Sequence, residues 1–389
     1  MTILNSLWDK LIWLFSWHTL LSIFGVVFAL GLVVIVHEWG HFIACRLLGI
    51  RVEEFSIGFG KLLKQWKDKK NTLFSLRAIP LGGYVKPAGE AYYREVEIKS
   101  DDEFAAKPWW ARAIMVFAGA GMNYVLAFII FFFIIFIVGM PVTDPLKVPS
   151  VLHEVKADYP AAAAGLLAGD KILQINGKDT QNWKELLLAL NNANKEKLPE
   201  VAVTYERDGL KNTVNVAFSN SKLGIMVEPV YEKIGILKSI TMAGYQCYYW
   251  TALSLTTIAE KIYHKEAPDM AGPIGIFELV GKGVHSGVED YFFLIALISV
   301  AIGMFNLVPI PILDGGHIVF FIIEGITGKR PTEKVLNNAY SVGAIILISL
   351  VLFATYQDIG RLKNKGNKAQ LIETQTEQVQ ENKIEVQND

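Results

Sequence analysis

Apolar residues in this chain come in blocks and not in stripes. Residues 20–36 carry no charged side chain, the run continues past a polar motif to Leu48, and further apolar blocks cover 113–140, 291–323 and 342–356. A helix that crosses a bilayer needs about 20 mostly apolar residues. The first two blocks reach that length, the fourth reaches it only with its flanks, and the third is broken by Pro309, Pro311, Gly315 and Gly316. The pattern predicts a polytopic α-helical membrane protein of about four spans. Between the second and third spans the period changes. The stretches "KILQING", "EVAVTYERDG" and "NTVNVAF" alternate as strands around a helical "NWKELLLALNN", which predicts an α+β domain outside the bilayer. Beyond Gly360 the chain turns polar and rich in Gln, Glu, Lys and Asn, the composition of a disordered tail.

Composition agrees with the blocks. At 52% hydrophobic and 19% charged, the 389 residues are too apolar for an ordinary soluble protein. A net charge of −1 offers nucleic acid no basic surface, so no such partner is expected. Cys45 and Cys247 are far apart, and no disulfide framework follows from them. The N-terminal run could pass for a signal peptide, but Lys10 is its only base and cleavage after the run would discard the motif described next. It reads as a retained span. Residues 46–112 hold about a dozen Lys and Arg, which places that segment in the cytoplasm and the N-terminus outside. The tail "RLKNKGNK" then falls outside, against the same rule.

The first block ends in "VVIVHEWGHF", with His37, Glu38 and His41 together at membrane depth. An ionised side chain at the bilayer centre costs roughly 2.5–3.5 kcal/mol or more, so such a group needs a reason to be there. Positions four apart share a helix face, so His37 and His41 can hold one metal while Glu38 flanks it. Zinc suits imidazole, and a catalytic zinc site has three protein ligands and an open position. Among the seven histidines, His18 lies at the far end of the span, and His153, His264 and His285 lie in polar sequence. That leaves His317, Asp314 and Glu324 as candidates, all in "NLVPIPILDGGHIVFFIIEG". At 1.5 Å per helical residue, His37 lies roughly 25 Å below Leu20 and Asp314 roughly 34 Å along from Tyr291, so two inward-running spans bring both groups to the cytoplasmic half. Irregular backbone at that depth is tolerated where it lines a cavity. Spacing does not choose between Asp314 and His317, one turn apart.

"HEWGH" on a first span, with "NLVPIPILDGG" late in the chain, resembles the site-2 protease family of intramembrane zinc metalloproteases, in its bacterial RseP type. The family pattern is HExxH plus N-x-x-P-x-x-x-L-D-G, and Asn306, Pro309, Leu313, Asp314 and Gly315 match it. The resemblance implies Asp314 as third ligand of a single zinc per chain, Glu38 as the catalytic residue, His317 as a neighbour without a metal role, and Asn306 as a substrate contact. "EFSIGFG" and "SLRAIPLGGYVK" resemble the family's membrane-dipping β-hairpin, with Gly82, Gly83 and Tyr84 as expected substrate contacts. "GAGMNYVLAF" resembles its G-P-x-x-N signature through Asn123, although no proline precedes that asparagine.

"ADYPAAAAGLLAGDKILQINGKDTQNWKEL" resembles a circularly permuted bacterial PDZ domain, with "KLGIMVEP" as the strand that lines its peptide groove. The enterobacterial form carries two such domains, and this chain has room for one. Residues 240–258 carry no charge and could be mistaken for a span. If they crossed, Asp314 would end up on the side opposite His37, so 234–263 reads as an amphipathic helix lying on the membrane.

The expected organisation is a membrane part at 1–144 (two spans, HExxH and a cytoplasmic hairpin), one extracytoplasmic PDZ domain at 145–230, amphipathic membrane-surface helices at 231–290, a second membrane part at 291–360 and a polar tail at 361–389. The expected function is an intramembrane zinc endopeptidase of the bacterial inner membrane. Its partners are the lipid bilayer, single-span membrane proteins such as anti-sigma factors or remnant signal peptides as substrates, and a peptide or trimmed substrate end for the PDZ domain. A metal transporter using His37, His41 and Asp314, or a PDZ adaptor without catalysis, are the alternatives. Zinc flux in vesicles or a peptidase assay separates them.

Overall fold

The computed structural model describes residues 16–90, 97–142, 144–218, 223–227, 230–266 and 271–388, with only the backbone described from 364 onward. Lys10 and the ends of the "KLGIMVEP" stretch lie outside the described residues. The chain divides into two compact units, one made of residues 1–132 and 242–389, the other of Phe133–Thr241.

In the first unit, α1 (Trp17–Leu47) opens on Ser16, whose hydroxyl accepts the Thr19 N–H, and ends before Gly49 in left-handed backbone. A long hairpin of β1 (Val52–Lys67) and β2 (Leu73–Pro87) follows. Helix α2 (Trp109–Ile137) begins directly after Pro108, which lacks the N–H a helix start leaves unpaired. These two helices, with α7 (Val288–Asn306) and the Glu333–Lys363 part of α9 (Glu333–Asn388), are the four described helices long and apolar enough to cross a membrane. Prolines 309 and 311 end α7 and force the loop that leads to α8 (Asp314–Thr327). The broken third block of the sequence is therefore one long apolar helix, α7, and one short helix, α8.

The hairpin is more than a ribbon. Phe55 pairs with both Val85 and Phe74, Ser56 with Tyr84 and Ser75, and Ile57 with Gly83 and Leu76. Residues 83–87 thus form a sheet edge with no strand partner on their outer side among the described residues. β2 packs along α1, and the Pro80 carbonyl oxygen would lie 3.1 Å from a Cβ placed on Gly31, halfway along that helix. Phe59 and Leu63 of β1 and Ile79 and Leu81 of β2, away from the turn that joins the strands, are exposed. Phe42, Cys45, Phe55, Met115, Val116 and Phe321 build the core where α1, the hairpin, α2 and α8 meet.

Helix α5 (Ile236–Tyr263) is not among the four described helices long and apolar enough to cross a membrane. It does not lie free on a surface, however. Tyr124, near the middle of α2, hydrogen-bonds Thr251 at 3.0 Å, and Trp250 packs edge-on to Phe293 of α7. That part of α5 therefore sits against α2 and α7. Helix α6 (Pro273–Ser286) packs on α1, and the buried Asp358 of α9 caps it by accepting the Gly272 and Gly275 N–H groups. Backbone beyond Gly360 continues as helix to Asn388, since Gln, Glu and Lys are good helix formers and α9 supplies the nucleus they would lack alone.

The second unit holds a four-stranded antiparallel sheet in the order β6-β5-β7-β8, from β5 (Lys171–Ile175), β6 (Lys178–Asp179), β7 (Glu200–Arg207) and β8 (Leu210–Ala217). These strands and α4 (Trp183–Lys195), capped by Asn182, fall where alternation and periodicity predict them. Short pairs join β4 (Leu152–Val155) to β9 (Ile225–Val227) and β3 (Met140–Pro141) to β10 (Tyr231–Glu232). Helix α3 (Pro160–Ala163) completes the core around Leu152, Leu166, Ile172, Leu186 and Val201. Asp170 is buried and takes two hydrogen bonds from Arg207, at 2.7 and 2.8 Å. The unit is wider than 145–230 because it includes the β3–β10 pair and the ends of α2 and α5.

Candidate metal centre

Three side chains converge in the first unit. His37 and His41 point from one face of α1, their Nε2 atoms 3.1 Å apart. Asp314, the first residue of α8, sets Oδ2 3.2 Å from His37 Nε2 and 3.7 Å from His41 Nε2. The tight loop before α8 makes this placement possible. Any Cβ on Gly315 would overlap the Leu307 carbonyl, so only glycine lets the loop fold back onto the helix start.

The donor set fits a zinc ion. Zinc with bonds of 2.0–2.1 Å in a tetrahedron separates its ligand atoms by about 3.3 Å, close to all three separations. Asp314 Oδ2 is buried with no hydrogen-bond donor of its own, a state that is costly unless a cation lies beside it. Met115 supplies a further sign. Its backbone carbonyl lies 2.9 Å from His41 Nδ1 and can only accept, so Nδ1 carries the proton and Nε2 presents its lone pair to the centre.

The competing candidates are engaged elsewhere. Among the described residues, the one group that could hold a metal is His37, His41 and Asp314. Glu324 pairs with the fully buried Arg112 and with Arg330. His317 faces Tyr340 of α9, Nδ1 3.5 Å from the phenol oxygen. His18 packs against His285, ring centroids 5.0 Å apart.

Glu38 is half-buried beside the centre, and its carboxylate accepts the Val85 backbone N–H at 3.1 Å. Gly83 is close as well, its notional Cβ 3.7 Å from Glu38 Cγ. Tyr84 receives a hydrogen bond from Arg77 at 3.0 Å, and Gly82, in left-handed backbone, has the Phe59 ring against it. Asn306 closes α7 and is half-buried.

On α2, sequence reasoning singled out Asn123 through a family signature and missed Met115 and Gly119. Met115, Gly119 and Asn123 recur every four residues and form one face turned to the histidines. A Cβ on Gly119 would overlap both imidazole rings. Asn123 Nδ2 lies 3.3 Å from His37 Nδ1. A glycine and an asparagine four residues apart within an otherwise large apolar block were the available signal.

Comparison with known proteins agrees with the geometry. The profile of peptidase family M50 matches residues 25–350. A Rickettsia conorii protein assigned as a zinc metalloprotease is 36% identical over 370 residues, covering 88% of this chain and 99% of its own. The Caulobacter vibrioides metalloprotease MmpA is 30% identical over 393 residues, covering 88% of this chain and 96% of its own. The PDZ domain of an SdrC-like protein from Listeria monocytogenes aligns with 23% of this chain and 93% of its own length, at 22% identity and a TM-score of 0.18. A likeness that low carries no argument about the fold.

Proposed function

This chain belongs to peptidase family M50, the site-2 type of zinc metalloprotease, and on that premise we propose that it is an endopeptidase that cuts the membrane-spanning segments of single-span proteins. The observation that supports the reading is the closeness of a three-ligand centre, a carboxylate and a strand edge that has no outer strand partner among the described residues. We place the zinc on His37, His41 and Asp314. Bound there, it would supply Lewis acidity, lowering the pKa of water towards 7 and polarising a peptide carbonyl. Glu38 takes the proton of the attacking water and passes it to the amine that leaves as the C–N bond breaks. The Val85 N–H holds the carboxylate in place for both transfers.

A helix satisfies its own backbone, so a peptide bond must be unwound before water can attack it. Each N–H or C=O bared in lipid costs several kcal/mol. The edge at residues 83–87 offers replacement partners through strand addition. Gly82, Gly83 and Tyr84 line that edge in this reading, and Asn306 contacts the bound segment. Basic residues between the first two spans support a cytoplasmic position for the hairpin, and by the same rule the second unit is extracytoplasmic, in a bacterial inner membrane. We assign residues 145–230 to a single PDZ-type domain on the strength of "AGLLAGDKILQING" and its strand–helix order, with a peptide or a trimmed substrate end as its ligand. Anti-sigma factors and remnant signal peptides are substrates of the right form.

The test is cleavage of a labelled single-span substrate by the full chain in lipid vesicles, with and without a zinc chelator. Chelator-sensitive cuts inside the span support the reading. Zinc flux without cleavage would favour transport, and zinc content with neither activity would favour an adaptor.

A further inference from the structure

Asn123 is fully buried in the middle of a spanning helix, where an amide side chain must find partners. Its Nδ2 lies 3.3 Å from His37 Nδ1, and its Oδ1 is buried with no hydrogen-bond partner. The backbone around it is fixed. Ser299 of α7, itself buried, donates to the Asn123 carbonyl at 2.9 Å, and a Cβ on Gly303 would lie 3.2 Å from Asn123 Cβ. The amide is therefore held in position and free mainly to rotate about its last torsion.

That rotation decides which nitrogen of His37 bears the proton. With Nδ2 towards the ring, the amide donates to Nδ1, and the ring proton sits on Nε2, the atom that faces His41 and Asp314. A half-turn brings Oδ1 to the same place. It then accepts from Nδ1–H, leaves the Nε2 lone pair free, and gives the orphaned oxygen its partner. His41 shows the same arrangement with a group that cannot turn, the Met115 carbonyl.

We propose that Asn123 is the positioning residue of the metal centre, its side-chain oxygen fixing His37 as the Nδ1–H tautomer in the zinc-bound protein. This rests on the reading of His37 as a ligand. The two are tested together by measuring zinc affinity of the detergent-solubilised full chain in competition with a chromogenic chelator. Asn123→Leu, which keeps the shape and loses the acceptor, is expected to weaken zinc binding about 10–100-fold. Asn123→Asp offers an acceptor in either rotation and is expected to stay within about threefold of wild type, a rescue that a merely structural role would not show. If Asn123→Leu does not fold, Asn123→Val makes the same comparison. Wild-type affinity in the apolar variant, or an equal loss in Asn123→Asp, overturns the inference. His37→Ala retaining zinc would instead overturn the ligand assignment beneath it.

Discussion

The backbone N–H of Val85 donates to the carboxylate of Glu38 at 3.1 Å, tying the edge of the hairpin to the helix that carries HExxH. The strand that would receive a substrate and the base that would act on it thus share one hydrogen bond. A proline scan of residues 82–86 removes backbone N–H groups one at a time, among them the Val85 N–H that faces outward to Glu38. At least one of these variants should lose about tenfold or more in cleavage while its zinc content stays at the wild-type level, as expected when a positioned proton-transfer group is displaced. Wild-type cleavage in all of them would mean that substrate is not held on this edge.

Glu38→Gln should keep one zinc per chain and lose cleavage by about 10²-fold or more, because the amide keeps the shape but cannot take a proton. Metal analysis and a single-turnover assay on the same sample check both halves. Residual turnover near the wild-type rate would remove Glu38 from the mechanism.

Asp314→Ala should lose most of its zinc along with activity, since Asp314 Oδ2 faces both histidines and has no other partner. His317→Ala should keep its zinc, because that ring faces Tyr340. The reverse order in metal content would exchange the two assignments.

HExxH and the broken "NLVPIPILDGGH" block were legible because each breaks a local rule, polar groups in hydrocarbon and prolines in a span, and a rule broken inside a membrane points to a site. The four long apolar helices and the strands of the second unit followed from block length and alternation. Of the α2 face only Asn123 was legible, through the signature it matches, and the parts played by Gly119 and Met115 appear only once His37 and His41 are set against them. The packing of α5 was hidden for a related reason. A helix of mixed polarity suits a membrane surface and the flank of a span equally well, and only contacts such as Tyr124 to Thr251 separate the two.

Gly119→Ala and Gly121→Ala form a matched pair on one helix. The first places a methyl group onto both imidazoles and should weaken zinc binding by about tenfold or more, in line with the cost of a disturbed ligand. The second meets only the Phe117 ring at ordinary contact distance, 3.5 Å, and should be neutral or stabilise the helix by up to about 1 kcal/mol. Equal behaviour of the two in a chelator titration and a thermal melt would show that α2 does not press on the centre.

Deleting residues 148–230 removes none of the proposed catalytic groups, which all lie in the first unit. The shortened chain should cleave an already trimmed single-span substrate at near the wild-type rate and discriminate less against untrimmed ones. Loss of cleavage on the trimmed substrate, with zinc content intact, would give the second unit a part in the chemistry itself.

The Pro80 carbonyl against Gly31 has a consequence for how the protein is made. Gly31 belongs to the first span, and Pro80 is added to the chain only after the rest of α1 and all of β1. β2 is made after α1, so the glycine face of the helix gains its cover only when the later strand folds back onto it. A chain that ended before β2 would carry His37, Glu38 and His41 on its first helix without the Val85 N–H that holds the carboxylate.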